Sequence, residues 1–343
     1  MKILCYADNH FSEKSSIVTK YGTKYTLRLE NQLQSLNWVE DVAKQQGCEH
    51  IVCLGDFFDH PQLTDQELTA LNDIQWSDIP HYFLVGNHES EENDLQYSST
   101  MALSGFSRYV ISEPIIRYVG QNVELAFLPY VVESNRKQIT EYFPPIKDKL
   151  RILFSHNDII GIQMGPVVSR TGFSIDEFSE ISHLCINGHL HNGMPIAPAV
   201  MNLGNLTGKD FSEDANKYIH RVLIIDTEKL SCDFIENPYA FNFYKLEVNS
   251  VDDLAQFDNL KKNAVLSIKC RDKCIQQVRD KLATLTDVVE SRIIAIKDPT
   301  EIETDDFNIT SLCVDQCAKF AECCRAKLGN SNILEAELAE ILK

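Results

Sequence analysis

The sequence predicts an α/β (α+β layered) protein: a two-sheet sandwich flanked by helices, then a small α/β cap and a helical C-terminus. Three observations predict it. Short apolar runs alternate with helix-like segments from residue 2 to residue 187. After His191 the texture turns strand-rich, and beyond Asn237-Pro238 a strand–helix–strand–helix–strand pattern begins.

Residues 2–7 (KILCYA) read as the first strand, followed by a helix carrying Leu27, Leu29, Leu33, Leu36 and Val39, then a strand over 51–54. A second helix fits 64–74, where Thr64 and Glu67 form a capping-box signature. A strand over 81–85 leads into Gly86-Asn87-His88-Glu89, and two runs between 115 and 128 flank Gly120-Gln-Asn122 as a hairpin. Strands over 150–155 and 182–187 follow, then 200–203, 219–226 and 232–235. These make a first domain over 1–240, and the α/β capping domain spans 241–300. Its expected parts are a strand over 243–248, a helix over 251–261, a strand over 264–270, a helix over 274–285 and a strand over 287–296. The rest, 301–343, holds the end of an acidic linker (298–306) and two helices separated by Gly329-Asn-Ser331.

Of the 343 residues, 44% are hydrophobic and 24% charged, as in an ordinary soluble protein. No apolar run has membrane-spanning length and the N-terminus enters a strand at once, so a cytoplasmic protein without a membrane partner is expected. Eleven cysteines, several inside apolar strands, fit free thiols in a reducing compartment. Cys313, Cys317, Cys323 and Cys324 lack paired CxxC spacing and read as small apolar packing. A net charge of −18 argues against tight binding of nucleic acid by counterion release alone. Bound dications or a basic partner change that locally.

The chemistry gathers at strand ends. The run 51–59, IVCLGDFFD, leaves its strand at Gly55 and delivers Asp56 and Asp59. Four other runs end in Asp8-Asn-His10, in Asn87-His88-Glu89, in His156, and in His189-Leu-His191. Five of the ten histidines lie at these ends. Carboxylate, imidazole and amide groups without cysteine suit a pair of divalent ions, manganese foremost, with iron or magnesium as alternatives. Such a pair clamps a phosphoryl group and activates water for in-line attack. Asp56, the central carboxylate, is the natural bridge between two ions. Asn87 and His88 are adjacent, so if one faces the ions the other faces the substrate.

The ordered blocks Asp8-x-His10, GDFFD, GNHE, His156 and GHLH resemble the calcineurin-like metallophosphoesterases over roughly the first 240 residues. The resemblance implies that Asp8, His10 and His191 hold one ion, that Asp56 bridges, and that Asn87, His156 and His189 hold the other. His88 becomes the phosphate-contacting general acid. Ser/Thr phosphatases of this superfamily carry GDxVDRG, whose arginine contacts phosphate; here His60-Pro61 stands in its place. GDFFD, Gly204-Asn205-Leu206, the small α/β unit and the helical end look instead like the SbcD-type DNA-repair nucleases, closest in layout to phage subunits. GNHE in place of GNHD, and Phe11 in place of leucine, depart from that pattern without removing a ligand.

The expected function is therefore a manganese-dependent DNA phosphodiesterase, a 3′-to-5′ exonuclease and endonuclease. Its expected partners are DNA, an SbcC-like coiled-coil ATPase and a second nuclease subunit in a homodimer. Asp59 and His60 border the substrate on this view, while Asp59 also fits a turn-stabilising role. The C-terminal helices dock on the ATPase or pack on the cap. The alternative function is a small-molecule or cyclic-nucleotide phosphodiesterase.

Overall fold

The Lys2–Tyr6 strand is apolar on both faces, and that places it inside the molecule. Ile3, Cys5 and Ala7 join one core cluster while Leu4 and Tyr6 join another, as the two-residue period of a strand requires. The computed structural model describes residues 1–91, 94–119, 122–164 and 167–297. Lys2–Tyr6 pairs in parallel with His50–Cys53, followed by His81–Leu84 and the edge strand Arg108–Ile111. On its other side Arg221–Asp226 and Ser231–Glu236 add antiparallel strands, completing a six-stranded sheet.

A second six-stranded sheet runs Met194–Ala197, Val200–Asn202, Leu184–Asn187, Leu150–Ser155, Val123–Leu128, Ile115–Val119. Its four inner strands are parallel and its two outer ones antiparallel. Val52, Leu84, Phe127, Phe154 and Ile186 fill the space between the sheets. Each such buried side chain contributes roughly 1.5–3 kcal/mol. The outer face of the first sheet is covered by the Leu27–Gln46 helix through Leu29, Leu33, Leu36 and Val39. Thr26 caps its start and Gly47, at φ 64°, its end. Ile139–Tyr142 and Ile175–Ile181, helices not foreseen in the sequence, cover the second sheet.

The expected strands and the Thr64–Glu67 capping box are present. Two expected helices are corrected: 64–74 is an α-helix only over Asp65–Ala70 and continues as a 3-10 turn, Leu71–Asp73, and 251–261 is a 3-10 helix, Val251–Asn259. Leu254, Phe257 and Leu260 recur every third residue and all pack into the cap core, which matches three residues per turn. In the cap, Asn242–Val248, Ala264–Arg271 and Val288–Ile296 form a three-stranded sheet, and Ile275–Ala283 is its α-helix. Phe241, Phe243 and Val265 of this unit pack against Val18 and Phe211. Met1–Ala295 is one compact unit. The acidic linker, the C-terminal helices and their cysteines lie outside the described residues, as does the Gly120-Gln121 turn. Among the described residues the seven cysteines are free, and no helix is long and apolar enough to cross a membrane.

Candidate metal centre

In both sheets the parallel strands deliver their carboxyl ends to one edge, and the expected metal ligands Asp8, His10, Asp56, Asn87, His156, His189 and His191 follow those strand ends. The loops at that edge bend sharply. Asp8, His10, Asp56 and His189 have φ of 50°, 48°, 47° and 73°, in the left-handed region that side chains other than glycine rarely adopt. Hydrogen bonds hold two of these loops against each other. Asp8 N donates to Gly55 O (3.1 Å) and His10 N to Asp56 O (3.0 Å). From the Leu27–Gln46 helix, Gln32 Nε2 donates to Asn9 O (2.9 Å) and His10 O (2.6 Å). Gly55, at φ 105°, permits close approach as well: a Cβ there would lie 2.3 Å from His156 Nδ1.

The side chains converge in overlapping triads: Asp8, His10 and His191; His10, Asp56 and His88; Asp56, His156 and His189. Asp56 Oδ2 stands between the outer two, 3.2 Å from His156 Nε2 and 4.0 Å from His10 Nε2. Asn87 Oδ1 lies 2.9 Å from His189 Nδ1 and 3.3 Å from His156 Nε2, so Asn87 joins the third triad. His88 leans out instead, with its side chain 37% exposed and Nδ1 donating to Asp59 O at 3.1 Å.

The arrangement fits two divalent cations. His10 Nε2 and His191 Nε2 face each other at 2.9 Å, while their Nδ1 atoms face the carboxylates of Asp59 (3.0 Å) and Glu213 (3.3 Å). With both protons held on Nδ1, two lone pairs point at one place, which a cation resolves.

The profile of the calcineurin-like phosphoesterase family matches residues 1–193. The chain belongs to that family. It is thus a metal-dependent hydrolase of a family that uses two divalent ions. Among solved structures, a protein of Thermus thermophilus aligns at 10% identity and TM-score 0.41, over 68% of this chain and 98% of the other. A dimetal phosphatase from Danio rerio aligns at 12% and 0.37, over 69% and 98%. The calcineurin-like phosphoesterase YfkN from Bacillus subtilis aligns at 11% and 0.36, over 69% and 88%. No curated protein matches the chain.

Every ligand-type histidine of this phosphoesterase has an outer partner. Asp59 faces His10, Glu213 faces His191, Asp158 Oδ1 faces His189 Nε2 (3.1 Å), and Leu54 O accepts from His156 Nδ1 (2.7 Å). Such partners fix the tautomer and leave the opposite nitrogen to a metal. Burial pushes Asp56 upward, yet the adjacent His156, with His10 and His88 behind it, holds it well below the ordinary carboxylate range. Burial lowers His156, but Asp56 and Asp8 carry it up to about 9. Burial raises Asp8 and lowers His10. Asp158 is drawn down by its bond with His189.

Several residues of the site carry no signal in the sequence that would single them out: Asp158, Glu213, Lys209 and Gln32. Asp158 follows His156 by two positions, and Lys209 and Glu213 follow Gly204-Asn205, so proximity to a recognised block is the one hint they offer. Glu89, where the family text has aspartate, accepts from Gly86 N (2.7 Å) and Phe58 N (3.0 Å), tying two ligand loops together. Burial and Asp56 push it up to about 7. Asp59, 24% exposed, bonds with Lys209 Nζ at 2.7 Å. His60 turns away to Glu67 Oε1 (3.1 Å) and Ser12 Oγ (3.3 Å).

Proposed function

We propose that this phosphoesterase is a manganese-dependent DNA phosphodiesterase, the 3′-to-5′ exonuclease and endonuclease subunit of an SbcC/SbcD-like complex. The observation that carries the phosphodiester chemistry is the position of Asp56 between His10 of one ligand group and His156 and His189 of the other, with His88 next to Asp56 at the open rim. Asp8, His10 and His191 would hold one ion and Asn87, His156 and His189 the other, with Asp56 between. The ions would supply charge neutralisation at phosphorus and an activated water.

The chain's own contribution is placement and proton handling. His88 donates its Nδ1 proton to Asp59 O, so the proton it would give to the departing alkoxide is a second one, carried on Nε2 of the imidazolium. Its backbone N–H donates to Asp56 Oδ1 (3.0 Å), so the acid and the central carboxylate move as one piece.

A polymeric substrate is supported by the cap. Its Phe243 and Val265 pack on Val18 and Phe211, in the two segments whose neighbours line an open cavity of about 540 Å³ beside Asp59. A substrate at the ions therefore has further protein surface beside it. The acidic composition fits a reading in which a more basic partner, the SbcC-like ATPase, holds the DNA, and a homodimer of the nuclease subunit is part of the same proposal.

The test is a parallel assay on bis-p-nitrophenyl phosphate, a cyclic nucleotide and end-labelled duplex DNA, with and without the ATPase. Manganese-dependent cleavage of DNA, enhanced by the ATPase, is expected. Efficient turnover of the cyclic nucleotide with inert DNA would overturn the reading.

A further inference from the structure

Phosphoryl transfer places negative charge on oxygens that the protein must meet with donors as well as metal. The phosphatase pattern puts an arginine just after its GDxxD block; in this chain the position is His60, committed to Glu67 and Ser12. A cation reaches the same rim from elsewhere. Lys209 Nζ lies 2.7 Å from Asp59 Oδ1 and 3.2 Å from His10 Nδ1, with its side chain 20% exposed. Its main chain is anchored too: Lys209 N donates to the Glu213 carboxylate (3.1 and 3.3 Å), the group that faces His191. Lys209 and Asp59 stand where the cavity of about 540 Å³ meets the metal centre.

An ammonium has three donors and no acceptor. Asp59 takes one. His10 Nδ1 already carries a proton directed to Asp59, so it accepts none from Lys209. We propose that Lys209 is the substrate-binding cation of this phosphoesterase, turning its remaining donors to a non-bridging oxygen of a phosphoryl group that enters from the cavity. Asp59 fixes the ammonium without consuming it, and the neutral Asp59–Lys209 pair leaves the ions unrepelled. This role rests on family membership and geometry, and it holds whether or not the substrate is DNA.

The experiment uses the full chain loaded with manganese, as wild type, Lys209→Met and Lys209→Arg. Metal content is measured by elemental analysis, inorganic phosphate binding by calorimetry, and kinetics on bis-p-nitrophenyl phosphate. Lys209→Met is expected to keep both ions while the phosphate Kd and the KM rise about 10- to 100-fold, the size of a hydrogen bond between charged groups. Lys209→Arg restores most of the affinity. Unchanged phosphate binding in the metal-loaded Met variant would overturn the proposal. So would loss of manganese in step with activity, which would make Lys209 a support for Asp59 and His10. If thermal melting shows the Met variant unfolded, Lys209→Gln is read by the same two criteria.

Discussion

Glu213→Gln isolates one ion from the other. The Glu213 carboxylate is buried; Oε1 accepts from Asn205 Nδ2 (2.8 Å) and lies 3.3 Å from His191 Nδ1, and Lys209 N reaches both oxygens. Glutamine keeps the shape but removes the charge and sets an NH₂ among donors. One buried donor is left without an acceptor, at about 1–3 kcal/mol of stability. Loss of the outer partner of a metal-binding histidine costs roughly 10- to 100-fold in metal affinity. That equals about 1.4–2.8 kcal/mol at one ion. His191 stands with Asp8 and His10, whereas Asp158 serves His189 beside Asp56 and His156. Manganese titration by calorimetry should therefore show one weakened site in Glu213→Gln and the other weakened in Asp158→Asn. Equal weakening of both sites in either variant, or of neither, would refute the assignment of separate outer partners to separate ions.

His88→Asn should retain both ions and DNA affinity while kcat falls by roughly 10²–10⁴; manganese lost together with activity would show His88 to be a support for Asn87. In Gly86→Ala the new Cβ would sit 2.1 Å from Asp56 Oδ1, forcing that carboxylate to move. A displacement of this kind costs about 10²-fold in rate, so wild-type turnover would disprove the tight fit. Away from the site, burial raises Glu40, but its bond to His81 at 2.6 Å and its contact with Ser77 hold it below 4.5. A depressed carboxylate gives stability that is present above the ordinary value and lost as pH falls through the folded one. Glu40→Gln should therefore flatten the acid limb of the melting curve below about pH 4.5; an unaltered limb would contradict the pairing.

The ligand blocks are legible because each is local: an apolar run, a sharp turn, then an imidazole or carboxylate. The alternation of Ile3, Cys5 and Ala7 with Leu4 and Tyr6 likewise carries both faces of a central strand in six letters. Outer partners are not legible, since Asp59 meets His10 and Asp158 meets His189 only through tertiary folding, 49 and 31 positions apart. A single Asp, Glu or Lys in a loop has no period to betray it. The Arg108–Ile111 and Met194–Ala197 strands escape a reading of the sequence because they are short, half-exposed edges, the second with Pro195 inside it. In the cap, the three-residue spacing of Leu254, Phe257 and Leu260 mimics an α-helical stripe, although its period belongs to the tighter helix.

The left-handed backbone at Asp8, His10, Asp56 and His189 sets folding and chemistry against each other at four positions. A residue other than glycine held there costs on the order of 1–3 kcal/mol. Glycine would relieve that strain and take away the ligand. In a library of single substitutions, scoring for abundance alone should therefore tolerate or favour glycine, and to a lesser degree asparagine, at these positions. Scoring the same library for hydrolysis should reject both. The four positions would then stand out as those where the two rankings run opposite, which marks them as residues kept for chemistry at the expense of the fold.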